Sequence, residues 1–136
     1  MNMLYMAHSG LRYLVLLVAV VALLACIHGI ATGRPLRALG GLTAGFAGLL
    51  DLQILLGLGL VIGGIFYGAL MGHLVMMALA AIVVHVASVR AKRAANERQA
   101  TMTRLIGIAL ALVLIIGGIM SIGRSLFGSA AATPVS

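Results

Sequence analysis

The run Tyr13-Leu14-Val15-Leu16-Leu17-Val18-Ala19-Val20-Val21-Ala22-Leu23-Leu24-Ala25-Cys26-Ile27 contains no charged residue. It lies inside an apolar stretch from about Gly10 to Ala31, long enough for the roughly 20 residues a helix needs to cross a hydrocarbon core. Thr32-Gly33-Arg34-Pro35 then supplies a helix stop, glycine for the turn and proline after it. The same pattern recurs from about Leu42 to Gly63, from about Leu70 to Val89 and from about Leu105 to Ile122. The chain of 136 residues is 63% apolar and only 8% charged, with a mean hydropathy of +1.24. The expectation is an all-α membrane protein, a four-transmembrane-helix up-down bundle forming a single transmembrane domain over residues 1–136.

Little remains outside the spans. The Gly64-Ile65-Phe66-Tyr67-Gly68 connection is tight and makes the second and third spans antiparallel neighbours. Arg90 to Thr103 reads as the one extended polar stretch, and Ser125 to Ser136 as a small, polar, mobile tail. Cys26 ends a lipoprotein-like run, but the apolar sequence continues through Ile27 and Ile30, which favours a retained helix. A lone cysteine rules out an internal disulfide and reads as a packing residue.

Charge sets the expected orientation. The formal net charge of +7 comes with 4% aromatic residues, and the basic side chains sit between apolar spans rather than in a nucleic-acid-binding patch. Arg34, Arg37, Arg90, Lys92, Arg93, Arg98 and Arg104 fall on one side, expected to be cytoplasmic, and Arg12 and Arg124 on the other. Both termini are then periplasmic or extracellular. Lipid gives helices no hydrophobic drive to associate, so close packing must come from small residues. The second span supplies them four apart, as Gly41 and Gly45, Ala44 and Gly48, and Gly59 and Gly63. Their partner is a sister helix, another subunit or the face of a planar cofactor.

Ionisable groups inside a span need a reason, since a central charge costs about 2.5–3.5 kcal/mol on insertion scales. Asp51 lies near the middle of the second span, with Gln53 two residues on and on a different face. It serves either as a lock within the bundle or as a proton or quinone contact. Histidine is the usual b-haem ligand, offering a neutral ring nitrogen to iron. At about 1.5 Å per residue, His8 and His73 fall near the outer surface and His28 and His85 near the inner one. At 100° per residue His8 and His28 are about 200° apart, so straight helices cannot aim all four histidines at one axis. The face of His8 continues through Arg12, Ala19, Ala22, Cys26 and Gly29, which suits the interior. His28 shares its face with Leu17, Val21 and Leu24, which suits lipid or a neighbouring subunit. His8 and His73 are therefore the better candidate metal ligands, with Arg12, one turn from His8, placed to meet a haem propionate. A hydrogen bond to Asp51 is the alternative role of His85. Met71, Met76 and Met77 read as packing before ligation. Hydrolase, phosphate-loop and cysteine-rich metal patterns do not occur.

The opening His8-Ser9-Gly10-Leu11-Arg12-Tyr13 resembles the His-Ser-Gly-Leu-Arg-aromatic start of small four-helix bacterial membrane proteins labelled cytochrome b-like, and the likeness extends to Gln53 with Gly57 and to His73. Tyr13 stands where many members carry tryptophan, and Asp51 where some carry histidine. The resemblance implies haem b in a bacterial inner membrane and electron transport. The leading expectation is accordingly a haem protein passing single electrons between a membrane carrier, such as a quinol, and a partner complex, with Asp51 as proton partner. A quinone is the second candidate cofactor. The competing expectation is a non-catalytic accessory subunit of a respiratory or photosynthetic complex, packing against other membrane subunits or further copies of itself. A small transporter is disfavoured, because one mid-membrane acid and no inverted repeat give little to build a pathway from.

Overall fold

The computed structural model describes residues 2–64 and 70–121. They form four helices: α1 (Asn2–Thr32), α2 (Leu39–Ile62), α3 (Leu70–Lys92) and α4 (Glu97–Ser121). All four are long and apolar enough to cross a membrane. The chain is a multi-pass four-helix membrane protein, and helices suit that solvent because they satisfy their backbone groups internally. Expectations for Ile65 to Gly68, Ile122, Arg124 and the 125–136 tail lie outside the described residues.

The boundaries differ from the sequence reading at two ends. α1 begins at Asn2 rather than near Gly10, because Met3-Leu4-Tyr5-Met6-Ala7 continues the apolar helix N-terminal to His8. His8 is therefore inside the helix, about 9 Å from its start. α4 begins at Glu97 rather than near Leu105, so the polar stretch after Arg90 is mostly helical and the true connection is short. Asn96 and Gln99 cause this. Asn96 Oδ1 accepts from Gln99 N at 2.8 Å, and Gln99 Oε1 accepts from Ala95 N at 2.9 Å, which is capping-box chemistry at the helix start. At the other connection Gly33, at φ 70°, takes the left-handed conformation that ends α1. Gly29 lets Pro35 lie against α1, since a Cβ at residue 29 would stand 3.1 Å from the Pro35 Cα.

Each helix packs against its neighbours in sequence, and α4 closes the ring on α1. Buried Val15, Ala19, Ala22, Cys26, Phe46, Leu50, Ala80, Val84, Ile108, Ala111 and Ile115 fill the centre. The α3–α4 seam is the most extensive and α2–α3 the least. Small residues explain the first: a Cβ at Gly107 would overlap that of Ala87, and Ala80 and Ala111 are fully buried. The four-apart small residues of α2, whose partner the spacing leaves open, stand in two different surroundings. Cβ atoms built at Gly41, Gly45 and Gly48 meet nothing within 4 Å, whereas Gly57 and Gly59 contact α1.

Gly107→Ala should therefore destabilise the detergent-solubilised chain by about 1–3 kcal/mol through overpacking, seen as a lower midpoint of thermal unfolding by circular dichroism. Gly10→Ala, where the added Cβ meets nothing within 4 Å, should leave that midpoint unchanged or slightly raised. Asn96→Ala should cost about 1 kcal/mol through loss of the cap.

Candidate functional site

At the end of the bundle away from the basic connections, a cavity of about 320 Å³ is walled by all four helices. That volume is at the lower end of the range for small-molecule sites. Its wall is largely aliphatic, with Val15, Leu50, Ile54, Leu74, Met77 and Ile115 among its residues, and its polar groups are few. They include His8, Arg12, Gln53 and His73.

His8 and Gln53 clasp each other across the α1–α2 seam. His8 Nδ1 lies 3.1 Å from the Gln53 backbone oxygen, and Gln53 Nε2 donates to the His8 carbonyl at 2.7 Å. A carbonyl oxygen only accepts, so His8 Nδ1 carries the proton and, in the neutral ring, Nε2 carries the lone pair. Gly57 makes this approach possible. Four residues beyond Gln53, its N–H donates the usual helical bond to that carbonyl while leaving the oxygen's second lone pair unshielded. A Cβ there would stand 3.1 Å from His8 Cε1.

The bond from Nε2 also fixes the Gln53 amide, because the reversed orientation would set two oxygens against each other. Its Oε1 is buried and makes no hydrogen bond among the described residues, with Gln53 only 8% exposed. Such an acceptor is costly in an apolar wall unless it meets a donor.

His73 is held in the same manner at the α3–α4 seam. Its Nδ1 is 3.1 Å from the Gly118 carbonyl oxygen and so donates to it, again assigning the lone pair of the neutral ring to Nε2. A Cβ at Gly118 would crowd Met77 Cε at 2.6 Å and stand 3.6 Å from His73 Nδ1. The methyl groups of Met76 and Met77 pack toward Gly117 and Gly118, a packing role of the kind expected for them. Arg12 lies on the cavity wall, donating to Tyr13 Oη at 2.8 Å with its guanidinium carbon 4.7 Å from the Tyr13 ring centre.

The remaining candidates lie elsewhere. His28 is exposed beside Leu17, Val21 and Leu24 near the basic end. His85 Nε2 meets the Asp51 carboxylate at 2.9 and 3.0 Å on the outer surface of α2 and α3, the pairing considered for it from the sequence. Neither residue of this pair lines the cavity. Among the described residues no three or more His, Cys, Asp or Glu side chains cluster to hold a metal ion, so any bound metal would have to bring most of its own ligands, as a macrocycle does. Sequence reasoning missed the roles of Gly57 and Gly118. Glycine four residues after Gln53 was the available signal for the first, whereas nothing local marks the Gly118 carbonyl as an acceptor.

Compared with protein-family models, curated proteins and solved structures, the chain matches none of them.

Proposed function

We propose that the chain is a b-type haem protein of a bacterial inner membrane, with His8 and His73 as axial ligands and Arg12 as the contact for a propionate. One observation carries the reading: two histidines on different helices line one apolar cavity, each with Nδ1–H held by a backbone carbonyl of the neighbouring helix. Metal-ligating histidines characteristically donate their other ring N–H in this way, which fixes the tautomer and raises the basicity of the coordinating nitrogen. This donor pair supports the haem reading, and a haem would supply a one-electron couple whose potential depends on ligand identity and burial. The chain's own residues orient the rings, exclude water through the aliphatic wall and offer Arg12 to a carboxylate.

Electrons would pass between a lipid-soluble carrier of the quinol class and a partner complex, with Asp51 as the nearest carboxylate for an accompanying proton. The basic connections face the cytoplasm under the positive-inside rule, which puts the cavity and both termini toward the periplasm. A second reading, a ring of the quinone class in the same cavity, is favoured for its reduced, quinol form by Gln53 Oε1, which would accept from the quinol hydroxyl. The accessory-subunit reading draws on the unusual outer surface of α2.

Reduced-minus-oxidised spectra with a pyridine haemochrome assay separate these readings. The purified chain should give a b-type signal near one haem per chain. His8→Ala or His73→Ala should abolish it, and His28→Ala or His85→Ala should preserve it. Retention in both ligand variants would sink the assignment. Gly57→Val, which crowds the His8 ring, should weaken haem binding by about 10- to 100-fold, measured by titrating haem into the apoprotein.

A further inference from the structure

The outward strips of α1, α3 and α4 carry large aliphatic side chains, such as Leu17 at 59% exposure, Ile82 at 58% and Val113 at 66%. The half of α2 nearer the basic end breaks this pattern. Gly41, Ala44, Gly45 and Gly48 are exposed there, and a Cβ on any of the three glycines meets nothing within 4 Å. On the same strip, one turn beyond Gly48, stands Asp51, joined to His85 at 2.9 Å with side chains 46% and 52% exposed. An ionisable pair half-exposed inside apolar spans is the independent second feature. Hydrocarbon offers it no hydrogen bonds, and intramembrane acids nearly always face protein or a water-filled cavity.

We propose that a second copy of this chain covers this surface, making a two-fold dimer through α2 with the two Asp51–His85 pairs facing each other. Three observations select a copy of the chain rather than another protein. Two copies inserted in the same orientation carry Asp51 and His85 at identical depth, so a two-fold axis along the bilayer normal aligns the pairs without further adjustment. The pair is also its own complement. With Nε2–H on Asp51, a protonated His85 keeps a second N–H on Nδ1, on the other side of the ring, and a carboxylate has acceptor sites beyond the one used. Each imidazolium can then bridge its own carboxylate and the carboxylate of the copy, giving a neutral ring of two acids and two bases. Finally, the small residues at Gly41 and Gly45, and at Ala44 and Gly48, allow the close backbone approach typical of membrane helix pairs. The inference does not depend on the haem reading, since neither Asp51 nor His85 lines the cavity.

The test is disulfide cross-linking of the full chain in native membranes, in a Cys26→Ser background with a single cysteine at Gly45→Cys or Gly48→Cys. Val113→Cys on α4 and Leu17→Cys on α1 are the controls for random collision. The expected result is a homodimer band about tenfold stronger at the α2 positions than at the controls, as a close glycine-lined crossing requires. Equal yields at all four positions, or an α2 cross-link only to a different protein, would overturn the proposal. As an independent arm, Gly45→Leu should shift the purified chain from dimer to monomer in light scattering while circular dichroism stays unchanged, because Leu there enters open space within one chain. A Gly45→Leu chain that remains dimeric would equally overturn it.

Discussion

Inside a bilayer a polar side chain has no water to fall back on, so a partner within the protein matters more than it does in a soluble fold. The partner found most often here is a helix carbonyl with a spare lone pair, and glycine decides which carbonyls can be reached. Gly57 exposes the Gln53 carbonyl to His8, and Gly118 lets His73 approach a carbonyl of α4. These two contacts fix ring orientation and tautomer together, and they tie α1 to α2 and α3 to α4 around one cavity. Substituting either glycine would therefore disturb helix packing and site chemistry at once.

The four helices were legible because charge-free apolar runs of span length leave few alternatives to a membrane helix. Boundaries were less so. Polar His8 and Ser9 interrupt the apolar pattern and mask the helix-forming Met3 to Ala7, and the charges after Arg90 mask the cap that Asn96 and Gln99 build. The separation of His28 from His8, read from helical phase, agrees with the exposed position of His28. The pairing of His85 with Asp51 is legible in the sequence only as an alternative role of His85, open to it because the two residues lie on adjacent antiparallel helices.

What the sequence could not convey was the acceptor side of the site. Backbone carbonyls carry no residue signature of their own: only the glycine four residues on hints at the Gln53 oxygen, and nothing local hints at that of Gly118. Small-residue spacing likewise leaves the partner open. Gly41, Gly45 and Gly48 face outward while Gly59 meets α1, and the tightest seam within the chain joins α3 to α4 through Ala80, Ala87, Gly107 and Ala111. Spacing reports that a close approach is possible; it does not say to what. The half of α2 nearer the basic connections, with its open glycines beside an ionisable pair, is the surface least suited to lipid, in contrast with the aliphatic strips of the other helices.

The two sites divide the molecule by depth and face. The cavity gathers histidines whose Nδ1 protons are committed to carbonyls, leaving the Nε2 lone pair of each neutral ring available, while the outer pair commits its imidazole to a carboxylate. The central claim concerns the first arrangement, and its most direct test is the electron paramagnetic resonance spectrum of the oxidised, detergent-purified chain. A low-spin signal of a six-coordinate bis-imidazole haem is the expected result, since both ligands come from the same cavity wall. A high-spin five-coordinate haem, or a protein that purifies with no haem at all, would contradict it.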